Sequence, residues 1–107
     1  MKRGSVVTIA LQGNYGKPRP ALVVQSDYFS EHPSVTVLPI TSDLRPTPLF
    51  RIDVDPDPQN GLLKPSQIMV DKAQMVPSEK IGKVIGALDD AKMMAVNRAL
   101  ALWFGFA

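Results

Sequence analysis

The amino-acid sequence predicts a mainly β domain: a small β-barrel of SH3-like size, with five to six strands and a C-terminal α-helix docked against it. A run of β-branched residues at 5–11 ends in the loop signal Gln12-Gly13-Asn14. The continuous apolar run at 20–25 is typical of a strand buried on both faces. From Met93 onward, apolar residues recur every three or four positions, which is the period of an amphipathic helix.

The other predicted strands follow in order along the chain. Residues 35–40 form a third strand, in which Pro39 marks a bulge, an edge or the strand end. Residues 49–54 alternate, so that Arg51 and Asp53 share one face and the apolar residues share the other. Residues 67–71 and 83–86 complete the set of strands.

The connections carry turn signals. Residues 26–33 are polar and predict a loop or a short helical turn, and 55–61 ends in the turn dipeptide Asn60-Gly61. Residues 77–80 are compatible with one helical turn capped by Ser78. In the C-terminal helix, Val96, Leu100 and Trp103 form the apolar stripe.

The ends of that helix are also marked. Asp89 and Asp90 favour its N-terminus, where they complement the helix dipole, and Gly105 is placed to stop it.

Length and composition limit the classes of protein. The 107 residues make a single domain, 1–107, with 45% hydrophobic and 21% charged residues. Because there is no cysteine, thiolate catalysis and cysteine-ligated zinc are excluded, and a reducing compartment is expected. No apolar stretch reaches the roughly 18 residues of a membrane helix, and residues 12–14 interrupt any signal-peptide pattern. We expect a cytoplasmic protein without membrane contact.

Arg19 stands out because Pro18 and Pro20 clamp it directly before an apolar strand. Proline fixes its own φ and pushes the residue before it into an extended conformation. A guanidinium on such stiffened backbone, with Lys17 nearby, suits bidentate binding of phosphate. The alternative is a rim arginine paired with a carboxylate.

Polar residues follow two further strands. Thr41 and Ser42 come directly after the third strand, where their hydroxyls either bind a ligand or satisfy loop backbone. Asp71 ends the fifth strand and is a site residue, a turn residue or a salt-bridge partner. The sequence predicts that Arg19, Thr41 and Asp71 meet in one groove.

The sequence does not contain the motifs of histidine catalysis, metal binding or a Gly-rich phosphate loop. His32 is the only histidine and lies in a polar loop, which is typical of a solvated surface residue. No Gly-rich phosphate loop and no metal-ligand spacing is present, so no metal and no cofactor are expected.

Several motifs together resemble the MazF/PemK family of toxin endoribonucleases, over nearly the whole chain. The matching segments, in the family's order, are 2–7, 19–27, 37–42, 67–72, 81–86 and the terminal helix. The resemblance implies a homodimer of SH3-like barrels and a toxin of a type II toxin–antitoxin pair. It also implies sequence-specific, metal-independent cleavage of single-stranded RNA, with inhibition of translation.

By motif, Arg19 and Thr41 match the family's catalytic arginine and threonine. Because arginine stays protonated at neutral pH, Arg19 is assigned to phosphate stabilisation or proton donation. Thr41 would orient the phosphate. The antitoxin would bind as a disordered segment that folds into the RNA groove.

The chain departs from the family's pattern at two places. Some relatives carry a histidine before the clamped arginine, where this chain has Gly13-Asn14-Tyr15-Gly16, and the PemK-like branch has an arginine where this chain has Met69. Asp71 is then the remaining candidate for the base.

The predicted RNA contacts surround these positions. Tyr15 either stacks on a base or anchors its loop. The other predicted RNA-binding residues are Asn14, Lys17, Gln25, Ser42 and Gln67.

The C-terminal residues Trp103-Phe104-Gly105-Phe106 support an alternative. They resemble the end of the CcdB branch, which shares the fold and poisons DNA gyrase by protein contact. The other interpretation is that Trp103 packs on the barrel and Gly105 caps the helix.

Overall fold

The computed structural model describes residues 1–10 and 17–107. In this part of the chain seven β-strands precede one α-helix, α1 (Asp90–Phe104). The strands are β1 (Ser5–Ile9), β2 (Arg19–Val23), β3 (Ser34–Thr41), β4 (Arg51–Val54), β5 (Ser66–Met69), β6 (Gln74–Pro77) and β7 (Ile81–Ala87). Short 3-10 helices cover Asp27–Phe29, Val70–Lys72 and Ser78–Lys80.

All strand pairs are antiparallel, in the order β4-β5-β3-β2-β1-β7. The central strand β3 pairs with β2 along one edge. Along its other edge it pairs first with β6 and then with β5. The predicted mainly β fold with a C-terminal helix is therefore confirmed, as a barrel-like sheet in which β4 and β7 are the two ends among the described strands.

The core lies on both faces of this sheet, because successive side chains on a strand point to opposite faces. One cluster, which includes Leu22, Leu38 and Ile68, packs under Val96 and Ala99 of α1. A second cluster occupies the opposite face and consists of Val7, Ile9, Ala21, Val23, Val35, Val37 and Val76. The two faces of the central strands are thus fixed by their apolar residues.

The structure has more strands than the sequence predicts. We missed β6, because four residues with buried Val76 between exposed neighbours are too few to show a period. Pro39 lies inside β3, opposite Ala21 of β2. It falls where β3 changes partner from β6 to β5, so its missing N–H coincides with a break in the ladder on that edge.

The predictions for the two short helical turns and for Trp103 are confirmed only in part. The helical turn predicted within 26–33 is present at Asp27–Phe29. Ser78 begins its 3-10 helix but does not cap it, since its hydroxyl donates to the Pro33 carbonyl at 2.7 Å. Trp103 contacts Phe50, with ring centroids 6.1 Å apart, yet 51% of its surface is exposed. The docking predicted for Trp103 is therefore only partial.

Both ends of α1 follow the sequence prediction. The Asp89 carboxylate accepts the backbone N–H of Lys92 at 2.7 Å and caps the N-terminus. Gly105 adopts φ 81°, and its N–H reaches the carbonyls of Ala101 and Leu102. The helix is fixed in length by these two residues.

We predict that Asp89→Ala lowers the free energy of unfolding by about 1 kcal/mol, because it removes the cap of α1. Urea denaturation followed by circular dichroism measures this loss. Asp90→Ala is the matched control, since it removes the same charge from the first turn without removing the cap. Equal losses in the two variants would show that the charge matters and the cap does not.

Candidate phosphate-binding site

Four polar residues lie in one row across four neighbouring strands. Gln67 of β5 is paired with Thr41 of β3 on one side and with Asp53 of β4 on the other. The β2–β3 register, continued two residues beyond Ala21 and Pro39, puts Arg19 opposite Thr41. We call Arg19, Thr41, Gln67 and Asp53 the polar row. Because their strand neighbours point into the core under α1, the row lies on the face away from the helix.

The centre of the row is the buried amide of Gln67, of which 7% is exposed. Its Oε1 accepts the backbone N–H of Arg45 at 2.9 Å and Nη1 of Arg51 at 3.0 Å. Its Nε2 donates to the Arg45 carbonyl at 2.9 Å and to Oδ1 of Asp53 at 2.8 Å. All four hydrogen-bonding positions of this amide are used. The segment after β3 is therefore tied to the sheet through Gln67.

The hydroxyl of Thr41 is oriented by that same segment. Its Oγ1 accepts the backbone N–H of Asp43 at 3.0 Å. The hydroxyl thus satisfies loop backbone, which was one of the two interpretations of the sequence. Because this bond uses only the oxygen as acceptor, the hydroxyl proton is still able to donate to a ligand.

Arg19 begins β2 and is exposed. In the described part of the chain the ion pairs join Arg45 to Asp43 at 3.0 Å and Lys72 to Asp71 at 3.3 Å. Neither ion pair involves Arg19. Within residues 1–10 and 17–107, Arg19 is therefore not a rim arginine paired with a carboxylate. Arg19 thus lies opposite Thr41 in the continued strand register and makes no ion pair within the described residues.

The prediction that Asp71 ends a strand is wrong. Strand β5 stops at Met69, and Asp71 lies in the 3-10 helix Val70–Lys72. This helix lies beside β3, between the segments that pair with β5 and with β6. The carboxyl side chain is 16% exposed, and its Oδ2 contacts Lys72 Nζ. Its Oδ1 is buried without a hydrogen-bond partner in the described residues, an unusual state for a carboxylate oxygen. No described hydrogen bond joins Asp71 to Arg19 or Thr41.

The predicted RNA contacts divide into three groups. Lys17 and Ser42 are exposed and adjoin Arg19 and Thr41 in the chain. Gln25 lies elsewhere: its amide bonds the Phe29 and Ser34 carbonyls and the Thr36 backbone N–H, on the α1 side of β3. It braces a loop and is not part of the polar row, and Gln67 is likewise engaged within the protein. Asn14 and Tyr15 lie outside the described residues.

The sequence analysis left Arg51 out of the site. Arg51 is paired with Met69, and its Nη2 lies 3.6 Å from Met69 Sδ. The signal was the alternation of residues 49–54, which puts Arg51 and Asp53 on the face of the polar row. Arg51 is therefore a cation of β4 that lies next to Met69 of β5.

Two further properties of residues 1–10 and 17–107 bear on the site. No three His, Asp or Glu side chains there are grouped as metal ligands would be. No helix there is long and apolar enough to cross a membrane.

A sheet that carries, in one row, a guanidinium without an ion pair in residues 1–10 and 17–107 and a donor hydroxyl is suited to binding phosphate groups. Comparison with known proteins gives the family. Residues 2–104 match the model of the PemK-like, MazF-like toxin of type II toxin–antitoxin systems. The chain is 41% identical to a probable endoribonuclease MazF of Mycolicibacterium smegmatis, over all of this chain and 99% of that protein. It therefore belongs to the PemK/MazF toxin family.

Solved structures share the fold. The Mycobacterium tuberculosis toxin MazF-mt6 superimposes with a TM-score of 0.80 at 29% identity, covering 94% of this chain and 96% of that one. A mycobacterial endoribonuclease solved in complex with its cognate antitoxin superimposes with a TM-score of 0.81 at 23% identity, over 100% and 97% of the two chains. The predicted resemblance is confirmed.

We predict that Gln67→Met lowers the free energy of unfolding by about 2–4 kcal/mol, because it removes a buried amide and leaves the N–H and carbonyl of Arg45 without their partners. Chemical denaturation measures this loss. Gln59→Met, at an exposed position, is the control and is expected to change stability by less than about 0.5 kcal/mol. If Gln67→Met matched that control, Gln67 would not hold the segment after β3.

Proposed function

We propose that this protein is the toxin of a type II toxin–antitoxin pair and that it cleaves single-stranded RNA, including mRNA, at specific sequences without a metal ion, so that translation stops. Membership of the PemK/MazF family supports the activity. The observation that supports particular residues is the β2–β3 register, which, continued two residues beyond Ala21 and Pro39, has Arg19 opposite Thr41. Unpaired donors on adjacent strands are what a phosphodiester requires for binding.

The reaction we propose is an internal transfer. The ribose 2′-oxygen forms a bond to the adjacent phosphorus, and the bond from phosphorus to the 5′-oxygen of the next nucleotide breaks. The 2′-hydroxyl proton goes to a base, and the departing 5′-oxygen receives a proton from an acid. The products are a 2′,3′-cyclic phosphate and a 5′-hydroxyl. Negative charge grows on the phosphoryl oxygens during this transfer, so positioned donors accelerate it.

Arg19 and Thr41 supply those donors. The guanidinium of Arg19 stabilises the charge on the phosphoryl oxygens, with proton donation to the 5′-oxygen as its alternative role. The Thr41 hydroxyl donates to the phosphate, because its oxygen is already held by the Asp43 N–H. Lys17 and Ser42 adjoin the two residues and contact the RNA in this proposal.

Asp71 is the proposed base. Its Oδ1 has no hydrogen-bond partner in the described residues, and because this oxygen is buried, a role as proton acceptor requires RNA binding to expose it. Its contact with Lys72 supports the alternative, a structural ion pair. Lys72→Met separates the two roles, because it removes the ion pair and keeps the Asp71 carboxylate: loss of cleavage in Asp71→Asn but not in Lys72→Met is expected for a base, and equal loss in both for a structural ion pair.

We further propose a homodimer that binds a cognate antitoxin in the cytoplasm. Support comes from exposed apolar side chains at the end of α1 and beyond it, at Leu102, Trp103, Phe104 and Phe106. Such clusters are typical of protein contacts. Light scattering after size exclusion is expected to give about twice the chain mass of 11.7 kDa. A mass of one chain at micromolar concentration would contradict the dimer.

The activity is tested with purified protein and single-stranded RNA in EDTA. We predict cleavage to 2′,3′-cyclic phosphate ends by the wild type, and a loss of at least about 100-fold in Arg19→Ala and Thr41→Val, the size of effect seen when a transition-state donor is removed. Arg98→Ala is the matched control, because Arg98 is an exposed arginine of α1 on the other face. It is expected to cleave like the wild type.

Two outcomes would count against this proposal. Equal cleavage by wild type and Arg19→Ala would remove Arg19 from the mechanism. Intact RNA together with trapping of gyrase on DNA, abolished by Trp103→Ala, would support the CcdB-like alternative instead.

A further inference from the structure

We propose that Arg51 is a second phosphate-binding residue, which holds a backbone phosphate of the RNA other than the one that is cleaved. The proposal rests on the proposed cleavage of RNA and assigns a role to a residue outside the motifs that define the family resemblance. Three properties of Arg51 carry it: the face on which it lies, the way its guanidinium is held, and its uncompensated charge.

Arg51 shares the face of the polar row. Asp53, two residues along β4, belongs to the row, and residues two apart on a strand point to the same side. Ile52, between them, packs toward the core under α1. An RNA strand that crosses Arg19 and Thr41 and continues over β5 therefore meets Arg51.

The guanidinium of Arg51 is held in place before any ligand arrives. Nη1 donates to the Asp43 carbonyl at 2.8 Å and to Gln67 Oε1 at 3.0 Å. Nη2 contacts the Met69 sulfur. The Nε–H and the remaining Nη2 N–H have no acceptor in residues 1–10 and 17–107, so donors are left for a ligand.

The charge of Arg51 has no counterion in that part of the chain. Each of its contacts is with a neutral acceptor, while the nearby Asp43 carboxylate pairs with Arg45. The Asp53 carboxylate, on the same face, accepts from the neutral amide of Gln67 and makes no ion pair with Arg51. A fixed, partly exposed guanidinium with free N–H donors and no ion pair is suited to a ligand that supplies negative charge. A planar, fixed guanidinium favours a phosphate as that ligand.

Arg51 and Arg19 lie on strands that are not neighbours. Three strand spacings separate β4 from β2, or roughly 14 Å. The bonds of Arg51 to Gln67 and Asp43 hold its guanidinium over β5, with Gln67 between it and Thr41. The phosphate at Arg51 is therefore a neighbour of the cleaved one along the same strand.

The test measures binding, so that it does not depend on cleavage. The probe is a fluorescent 12-nucleotide single-stranded RNA in which methylphosphonate replaces one phosphate at a time. A 2′-O-methyl group at the cleaved nucleotide blocks cleavage during the binding measurement. If no cleavage site is found, a random-sequence RNA of the same length replaces this probe. We expect one uncleaved position where the neutral linkage weakens wild-type binding about tenfold, the size of one charge-assisted hydrogen bond. In Arg51→Met the same linkage should have no further effect.

Salt dependence gives a second readout. Removing one phosphate contact from a single strand reduces the slope of log affinity against log salt by about 0.7. Arg51→Met should show this reduction and Arg51→Lys, which keeps the charge, should largely restore the slope. Arg98→Met is the control and should retain the wild-type slope.

Three outcomes are informative. If Arg51→Met is coupled to no phosphate position, Arg51 only braces the segment after β3 and the proposal fails, whether or not RNA is cleaved. If the coupling is present but the wild type cleaves no RNA, the proposed activity fails and the phosphate site stands. If coupling falls on the cleaved phosphate itself, Arg51 belongs to the catalytic group and the assignment to a neighbouring phosphate is wrong.

Discussion

The site depends on one buried side chain, Gln67, whose amide uses every donor and acceptor it has. Through these bonds the segment after β3 is attached to β5 and β4. The Asp43 N–H that orients Thr41 belongs to this segment, and so does the carbonyl that holds Arg51. Loss of any hydrogen bond to a buried amide lowers the stability of the fold. The fold therefore strongly favours the arrangement in which all four hydrogen bonds of Gln67 are made.

The charges on the sheet face that carries the polar row determine which ligand this face can bind. The Asp43 carboxylate pairs with Arg45, and the Asp53 carboxylate accepts from the neutral amide of Gln67 and keeps its charge. Arg19 and Arg51 keep their charge without a counterion in the described residues. A face that provides cations at both ends and a donor hydroxyl between them is complementary to a polyanionic strand. The opposite face carries α1 and exposed apolar residues, which suit a protein partner.

Much of the fold could be predicted from local patterns. The strands, α1 and its caps follow from period and from residues such as Asp89 and Gly105. Arg19 and Thr41 could also be selected as candidate site residues, because each is a polar residue at the end of an apolar strand. The four hydrogen bonds of Gln67 and the position of Arg51 beside it could not, because both depend on which strands are neighbours. The position of Asp71 was missed for a similar reason: β5 ends two residues early, in a 3-10 helix that sequence patterns do not mark.

The central claim is that an RNA strand crosses the face that carries Arg19 and Arg51. The chain has five arginines, so NMR of their side-chain Nε–H groups in the wild-type protein tests it directly. On addition of RNA with a 2′-O-methyl group at the cleaved nucleotide, the resonances of Arg19 and Arg51 should shift. Those of Arg3, which bonds the Val24 carbonyl, and of Arg98 on α1 should not. Shifts confined to Arg3 and Arg98 would place the RNA on the helix side and contradict the account.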